Sequence, residues 1–235
     1  MDMDIAYYSD IGGRKKNEDA VELIKVENGI VAVLCDGLGG HLDGEIASSY
    51  IVESLRERLT KKNVEVDGLC EAIEEVNMQL YHKSRSNGMS STIAAVLIKE
   101  NSIMAANVGD TRIYLFRDGM VLFQSKDHSV AYVSVMTGDL SIEKLRSDSS
   151  RNILTRSIGV DDEVKIDFTQ LCIKTGDAVL ICSDGFWEYV WEKEMIDLLS
   201  KADSADSWLS MMRSMHDMRI SDGGDNNSAI SLIFD

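Results

Sequence analysis

Three aspartates lie at the ends of apolar segments that read as strands. Asp36 follows GIVAVLC, Asp184 follows AVLICS, and Asp225 precedes AISLIF. Strand ends at one edge of a sheet can bring distant residues together, and gathered carboxylates repel one another unless cations lie between them. Because Mg²⁺ and Mn²⁺ prefer oxygen ligands, the spacing indicates a divalent-cation site. The glycine after Asp36 and after Asp184 would let a backbone carbonyl approach the same ion.

An arginine stands beside acidic residues near the start of the chain. In SDIGGRKKNEDA (residues 9–20), Arg14 is followed by Glu18 and Asp19. Such a group can form an ordinary surface salt bridge, or the guanidinium can hold a phosphate with two hydrogen bonds beside metal-bound carboxylates. Each Asp-Gly pair, taken alone, is more often a turn than a ligand. The residues by themselves leave both alternatives open.

The composition excludes several classes of function. The 235 residues carry a formal net charge of −16, so a nucleic-acid or anionic-membrane surface is not expected, because phosphate binding needs clustered cations. The four cysteines form no C-x-x-C pair, which argues against a zinc or redox site. No apolar run reaches the roughly 18 residues of a membrane span, and no signal peptide is visible. We expect a soluble, cytoplasmic protein.

The apolar pattern predicts a strand-rich chain with four helices. Val- and Ile-rich segments separated by turn residues such as VENG, KENS and FRDGM indicate antiparallel hairpins. Apolar residues spaced three to four apart predict helices instead. The predicted strands are 5–9, 21–26, 29–35, 91–99, 102–108, 112–117, 164–171, 178–183 and 229–234, and the predicted helices are 43–62, 66–84, 191–201 and 205–220.

The order of these elements predicts an α+β fold with helices outside a pair of sheets. Neither repeats nor linkers interrupt the chain, so residues 1–235 are expected to form one domain. Residues 127–163 have weak periodicity, and we interpret them as a long, partly ordered excursion over a functional face.

Taken in order, eight motifs carry a family resemblance. They are G-x-R-x-x-N-E-D (12–19), D-G-x-G-G-H-x-x-G-E-x-A-S (36–48), S-T-x-A (91–94), A-N-V-G-D-T-R (106–112), D-H-S (127–129), N-I-L-T-R-S-I-G (152–159), S-D-G-F-W (183–187) and D-N-x-S (225–228). The chain resembles the metal-dependent protein phosphatase family, type 2C, and most of all its single-domain bacterial serine/threonine branch. One motif would be weak support, whereas eight in the family's order and spacing are specific.

The resemblance implies a fold and a set of ligands. The implied fold is a four-layer α-β-β-α sandwich of two antiparallel β-sheets flanked by helices, with residues 127–163 as the flap segment. The active site would bind two Mn²⁺ or Mg²⁺ ions, and a third ion would bind there with lower affinity. The implied metal ligands are Asp36, the carbonyl of Gly37, Asp184, Asp225 and, for the third ion, Asp127. Glu18 and Asp19 would contribute through bound waters, and Asn226 would orient its neighbour.

The resemblance also implies a reaction. A hydroxide bridging the metal ions would attack phosphoserine or phosphothreonine in line, without a phosphoenzyme. Arg14 would bind the phosphoryl oxygens, and His41 would protonate the leaving oxygen. The partners would be phosphorylated proteins and a cognate serine/threonine kinase, and we expect a monomer. Two alternatives remain: a catalytically weak phosphoprotein-binding regulator of the same fold, and a non-enzymatic domain stabilised by cations.

Overall fold

A computed structural model describes residues 2–38, 43–60, 62–85, 88–220 and 223–235. Its strands pair into two antiparallel sheets. They are β1 (Met3–Asp10), β2 (Asp19–Val26), β3 (Gly29–Leu38), β4 (Ser90–Ser91), β5 (Ile93–Lys99), β6 (Ser102–Val108), β7 (Arg112–Arg117), β8 (Met120–Gln124), β9 (Asp167–Cys172), β10 (Ala178–Cys182) and β11 (Asn227–Phe234). One sheet has the order β1-β11-β10-β7-β8, and the other has the order β2-β3-β5-β6-β9 with β4 paired to β3.

The described residues also include six α-helices. They are α1 (Gly44–Leu59), α2 (Val66–Ser84), α3 (Val130–Thr137), α4 (Asp184–Trp187), α5 (Glu192–Leu199) and α6 (Ala205–Asp217), with a 3₁₀ helix at Ile142–Ser147. Helices α1 and α2 pack on the sheet that contains β3, and α5 and α6 pack on the sheet that contains β10. The predicted α+β sandwich of four layers is therefore confirmed.

Strand β3 shows how the sequence produces these layers. Its side chains alternate between the two faces of the sheet, as the geometry of a strand requires. Val31, Val33 and Cys35 join the cluster beneath α1 and α2, whereas Ala32 and Leu34 join the cluster between the two sheets. Both faces are buried, which explains why β3 is apolar without interruption until Asp36.

Most of the predicted elements are present, and the exceptions have local causes. The FRDGM turn joins β7 to β8, with positive φ at Asp118 (51°) and Gly119 (72°), as a tight hairpin requires. The prediction omitted β8 itself and the helix α3, whose apolar sequence VAYVSVMT has no helical periodicity. The predicted strand 164–171 begins later, at Asp167. None of the helices that the structure describes has both the length and the apolar composition needed to span a bilayer.

Candidate active site

Four aspartates from separate strand ends line one cavity of about 310 Å³. Asp36 lies near the end of β3, Asp110 lies two residues after β6, Asp184 lies two residues after β10, and Asp225 lies two residues before β11. Strands β3 and β6 belong to one sheet, and β10 and β11 belong to the other. The cavity thus opens where the ends of the two sheets meet, and its wall is completed by Arg14, Glu18, Gly37, Leu38, Asn152, Leu154 and Asn226.

Hydrogen bonds through two threonine hydroxyls connect the backbone at Asp36 to the segment that carries Asp110. The amide of Asp36 donates to Thr92 Oγ1 at 2.9 Å, and Thr92 Oγ1 lies 2.6 Å from Thr111 Oγ1, beside Asp110. Gly109, with φ of +106°, passes so close to Thr92 that a Cβ would lie 2.6 Å from the Thr92 methyl carbon. Only glycine suits this turn, because both its conformation and its surroundings exclude a side chain.

Glycine 37 allows the N-terminal segment to approach the strand end. Its amide donates to the carbonyl of Glu18 at 3.0 Å, and a Cβ at Gly37 would overlap the carbonyl of Gly44. The carbonyl of Gly37 would lie 2.8 Å from a Cβ placed at Gly44, as would the carboxyl carbon of Glu18. A side chain at either glycine would therefore push the Glu18 segment away from the cavity.

The side chain of Asn226 holds the N-terminal loop against the site. Its Nδ2 donates to the carbonyls of Ile11 (2.8 Å) and Lys16 (2.9 Å), and its Oδ1 accepts from the amide of Glu18 at 2.9 Å. Asn226 is buried, so these bonds replace water that its amide group would otherwise need. Asn226 thus positions the loop that carries Arg14 and Glu18, which is a larger role than orienting Asp225 alone.

Burial and mutual repulsion disfavour the ionised forms of these carboxyls. Burial raises the pKa of Asp36 and of Asp110 well above the usual range, and neighbouring carboxylates raise both further. Burial raises the pKa of Asp184 to about 6, and the carboxylates of Glu188 and Asp225 raise it further. A group of carboxyls that resists losing its protons becomes favourable as a set of anions only when cations bind among them.

Asp19 lies behind this group, directly across from Asp36 in the β2–β3 pairing. Its Oδ2 accepts from Ser183 Oγ at 2.9 Å, whereas its buried Oδ1 has no hydrogen-bond partner. Burial raises the pKa of Asp19 to about 7, although the hydrogen bond from Ser183 lowers it. An unpartnered buried carboxylate oxygen beside the cavity is consistent with the predicted contribution through bound water.

The donor set fits Mg²⁺ or Mn²⁺, since carboxylates and a backbone carbonyl provide only oxygen ligands. Within the described part of the chain, no three acidic, histidine or cysteine side chains enclose a single ion by themselves. Asp225 is engaged by Arg14, whose Nη2 donates to Asp225 Oδ2 at 2.5 Å. A cation here would therefore need water, the Gly37 carbonyl, and release of Asp225 from Arg14.

The structure does not place Asp127, the predicted ligand of the third ion, among the residues that line the cavity. Both of its carboxylate oxygens accept hydrogen bonds from Arg112, at 2.8 and 2.7 Å, and each of the two side chains is 2% exposed. Arg112 also donates to Tyr114 and stacks over Trp187, with its guanidinium carbon 3.5 Å from the ring centroid. Asp127 is thus held away from the cavity by a buried ion pair.

Asp110 occupies the cavity instead, and the sequence interpretation overlooked it. It lies two residues after β6, in A-N-V-G-D-T-R. Like Asp36 and Asp184, it stands at the end of an apolar strand. Trp187 Nε1 donates to the Asp110 carbonyl at 2.9 Å, and His128 holds the preceding Gly109 through bonds of 2.9 and 3.0 Å. The sequence therefore contained a usable signal for Asp110.

The other predicted site residues fall into two groups. Arg14, Glu18, Asp36, Gly37, Asp184, Asp225 and Asn226 meet at the cavity. His41 lies outside the described residues, so its predicted role stays a prediction.

Comparisons with known proteins point to one family. A family model described as Protein phosphatase 2C matches residues 8–223. A serine/threonine phosphatase stp of Listeria welshimeri is 32% identical over 239 residues, covering 95% of this chain and 88% of the relative. A putative protein phosphatase 2C-type of Streptococcus pyogenes is 33% identical over 241 residues, covering 98% of this chain and 97% of the relative.

Solved structures give the same result. The serine/threonine phosphatase Stp1 from Staphylococcus aureus matches with a TM-score of 0.91 and 32% identity, over 100% of this chain and 96% of that chain. The catalytic domain of the serine/threonine protein phosphatase PstP, solved in complex with two manganese ions, matches with a TM-score of 0.84 and 25% identity, over 99% of each chain. With a family model covering most of its length and its strand-end aspartates gathered at one cavity, this chain belongs to the protein phosphatase 2C family.

Proposed function

We propose that this protein hydrolyses phosphoserine and phosphothreonine in other proteins and that the reaction depends on Mn²⁺ or Mg²⁺. The observation that carries the proposal is the convergence of Asp36, Asp110, Asp184 and Asp225 on one cavity beside Arg14. Four carboxyls and one arginine suit a site that must bind cations and a phosphate group together.

The acidic residues would bind the cations, and Arg14 would bind the phosphate. Asp36, Asp184 and Asp225 would hold two cations, with the carbonyl of Gly37 as a further ligand, and Asp110 would contribute to a third. When bound, the cations supply an acidified water as the nucleophile and neutralise the phosphoryl oxygens. Such a nucleophile needs no phosphoenzyme. Arg14 would leave Asp225 and take the phosphate as a bidentate partner.

Supporting residues keep this arrangement in place. Asn226 keeps the Arg14 loop against the cavity through its three hydrogen bonds. Asn152 and Leu154, from the segment after the 3₁₀ helix, complete the wall of the cavity. From the family resemblance, His41 would protonate the leaving serine or threonine oxygen.

The wider role follows from the same proposal. The substrates would be phosphorylated proteins, including those modified by a cognate serine/threonine kinase. We expect the protein to act as a cytoplasmic monomer, with residues 1–235 forming one catalytic domain and residues 127–163 its flap. The charged side chains at the cavity are acidic apart from Arg14, so the cations, rather than basic residues, would supply most of the positive charge for the phosphate.

The test is release of phosphate from a phosphothreonine peptide with Mn²⁺, with EDTA, and in Asp36→Asn. We expect hydrolysis with Mn²⁺ and none above background in the other two conditions. Asp118→Asn is the matched control, because it removes one carboxylate from an exposed turn where asparagine also adopts positive φ. Activity that survives EDTA would refute the proposal. Micromolar peptide binding without turnover at saturating Mn²⁺ would favour the regulator instead.

Competition by inorganic phosphate distinguishes the proposed enzyme from a non-enzymatic domain. A non-enzymatic domain stabilised by cations would show a Mn²⁺-dependent rise in melting temperature, but inorganic phosphate would not compete for the site. The proposed enzyme should be inhibited by inorganic phosphate, since phosphate is its product.

A further inference from the structure

A buried histidine touches the backbone immediately after Asp184. His216, near the end of α6, is 1% exposed. Its Nε2 lies 2.9 Å from the carbonyl of Gly185, and its Nδ1 lies 3.0 Å from Asp217 Oδ1. Because a carbonyl can only accept, Nε2 carries the proton and donates to Gly185.

The carbonyl of Gly185 receives no hydrogen bond from the amide four residues later in the chain. In a continuing α-helix it would accept from the amide of Tyr189, but Tyr189 donates to the carbonyl of Phe186 at 3.2 Å instead. The carbonyls of Asp184 and Phe186, on either side of Gly185, accept from the amides of Glu188 (3.0 Å) and Val190 (3.2 Å), so Gly185 differs from both of its neighbours. His216 supplies the missing hydrogen bond from a different helix.

Aromatic side chains pack around the His216 ring and fix the orientation of its hydrogen bond to Gly185. The imidazole lies nearly parallel to the ring of Phe186, at 9° and 6.2 Å between centroids. The ring of Tyr189 meets it edge-on, at 87° and 5.5 Å. Aromatic contacts on two sides leave the imidazole little freedom to rotate, so Nε2 stays aimed at Gly185.

Gly185 is also coupled to two acidic residues of the site. Its amide donates to Asp184 Oδ1 at 2.6 Å. A Cβ at Gly185 would lie 3.3 Å from the Cβ of Asp225 and would overlap the carbonyl of Asn226. The backbone at Gly185 therefore sits between the Asp184 carboxylate, the Asp225 segment and His216, and a shift in one affects the others.

His216 reaches the Asp225 segment by a second route. Its own carbonyl accepts from the amides of Arg219 (2.9 Å) and Ile220 (3.2 Å) at the end of α6. The side chain of Ile220 packs against Gly224, which precedes Asp225. One residue thus connects, through its ring and its backbone, the two chain segments that carry Asp184 and Asp225.

We propose that His216 is a positioning residue that sets the relative placement of Asp184 and Asp225 for cation binding. This inference deepens the proposed function and rests on it. Residues that orient metal ligands through one intervening group typically affect metal affinity or activity by about 10- to 100-fold. His216 acts through the Gly185 peptide and has no place among the residues that line the cavity.

The test uses three substitutions at His216. His216→Phe keeps an aromatic ring but removes the donor, His216→Gln places an amide N–H near the position of Nε2, and His216→Asn is too short to reach Gly185. Mn²⁺ affinity is measured in the absence of substrate, from the electron paramagnetic resonance signal of free Mn²⁺. Phosphopeptide hydrolysis and thermal unfolding in EDTA are measured in parallel.

We expect His216→Phe and His216→Asn to weaken Mn²⁺ binding by about 10-fold or more, and His216→Gln to remain within a few-fold of the natural protein. His82→Phe, the same change at an exposed helical histidine, should leave binding unaltered. If His216→Phe does not fold, the contrast between His216→Gln and His216→Asn decides the question. Equal Mn²⁺ affinity in these two variants, or affinity that follows the melting temperature alone, would overturn the proposal.

The two proposals fail differently. If the natural protein binds Mn²⁺ but never hydrolyses the peptide, the proposed function is wrong, while His216 can still be judged from Mn²⁺ affinity. If the natural protein is active and all three variants bind Mn²⁺ equally well, only the role of His216 is wrong.

Discussion

Replacing Asp127 by asparagine would separate a structural role from a metal-binding one. Asp127 and Arg112 are each 2% exposed and share two hydrogen bonds, of 2.8 and 2.7 Å. Asparagine would retain one acceptor but remove the charge that compensates the buried guanidinium. Breaking a buried ion pair from one side costs about 3–5 kcal/mol in the free energy of unfolding.

The magnitude should lie near the lower end of that range. Arg112 keeps its hydrogen bond to Tyr114, its stacking on Trp187 and a 3.6 Å contact with Glu192. A loss of about 3 kcal/mol corresponds to a fall in melting temperature of about 6–12 °C for a chain of this size. The loss should be the same in EDTA and in saturating Mn²⁺, because Asp127 does not face the cavity.

The assay is thermal and urea unfolding of Asp127→Asn, with Asp110→Asn beside it and Asp118→Asn as the surface control. Asp110→Asn should not destabilise the metal-free protein, since burial already raises the pKa of Asp110, but it should weaken Mn²⁺ binding. A stable Asp127→Asn protein with impaired Mn²⁺ binding would refute this reasoning and restore Asp127 as a ligand.

Three further predictions concern the N-terminal loop and the acidic residues. Arg14→Lys should raise the KM for a phosphopeptide about 10-fold, because lysine cannot form the bidentate contact; an unaltered KM in steady-state kinetics would contradict the role of Arg14. Asn226→Ala should destabilise the chain by about 1–3 kcal/mol and speed hydrogen exchange at the Glu18 amide, whereas unchanged exchange would show that the loop is held by other contacts. In EDTA, the protein should lose stability as the pH rises from about 4 to 7, because the raised pKa values of Asp19 (about 7) and Asp184 (about 6) mean that the folded chain retains protons that the unfolded chain has released. Saturating Mn²⁺ should suppress this trend in urea unfolding measured from about pH 4 to 7, and a metal-free protein that gains stability over the same range would contradict the prediction.

The strand-end aspartates could be predicted because hydrophobic periodicity fixes where a strand stops. Asp36 and Asp184 follow continuous apolar runs, and the unbroken apolar sequence of β3 follows directly from burial of both sheet faces. Asp110 also follows an apolar strand, β6, and could have been predicted in the same way. The prediction assigned the third ion to Asp127 instead.

Other features depend on tertiary contacts that no local pattern encodes. The acidic side chain in KDHS looks like a ligand until Arg112, fifteen residues away, is seen to hold both of its oxygens. Helix α3 is apolar around its circumference, so its sequence lacks the spacing of apolar and polar residues that predicts a helix. The link from His216 to Gly185 joins residues 31 positions apart, and only the packing of α6 against α4 creates it.

Calorimetric titration of Mn²⁺ into EDTA-stripped protein tests the central claim most directly, with the natural sequence, Asp36→Asn and Asp118→Asn compared at one pH. If carboxyls from separate strand ends jointly hold the cations, the natural protein and Asp118→Asn should bind at least two ions per chain, and Asp36→Asn should lose tight binding. Equal binding in Asp36→Asn, or no binding in the natural protein, would contradict it.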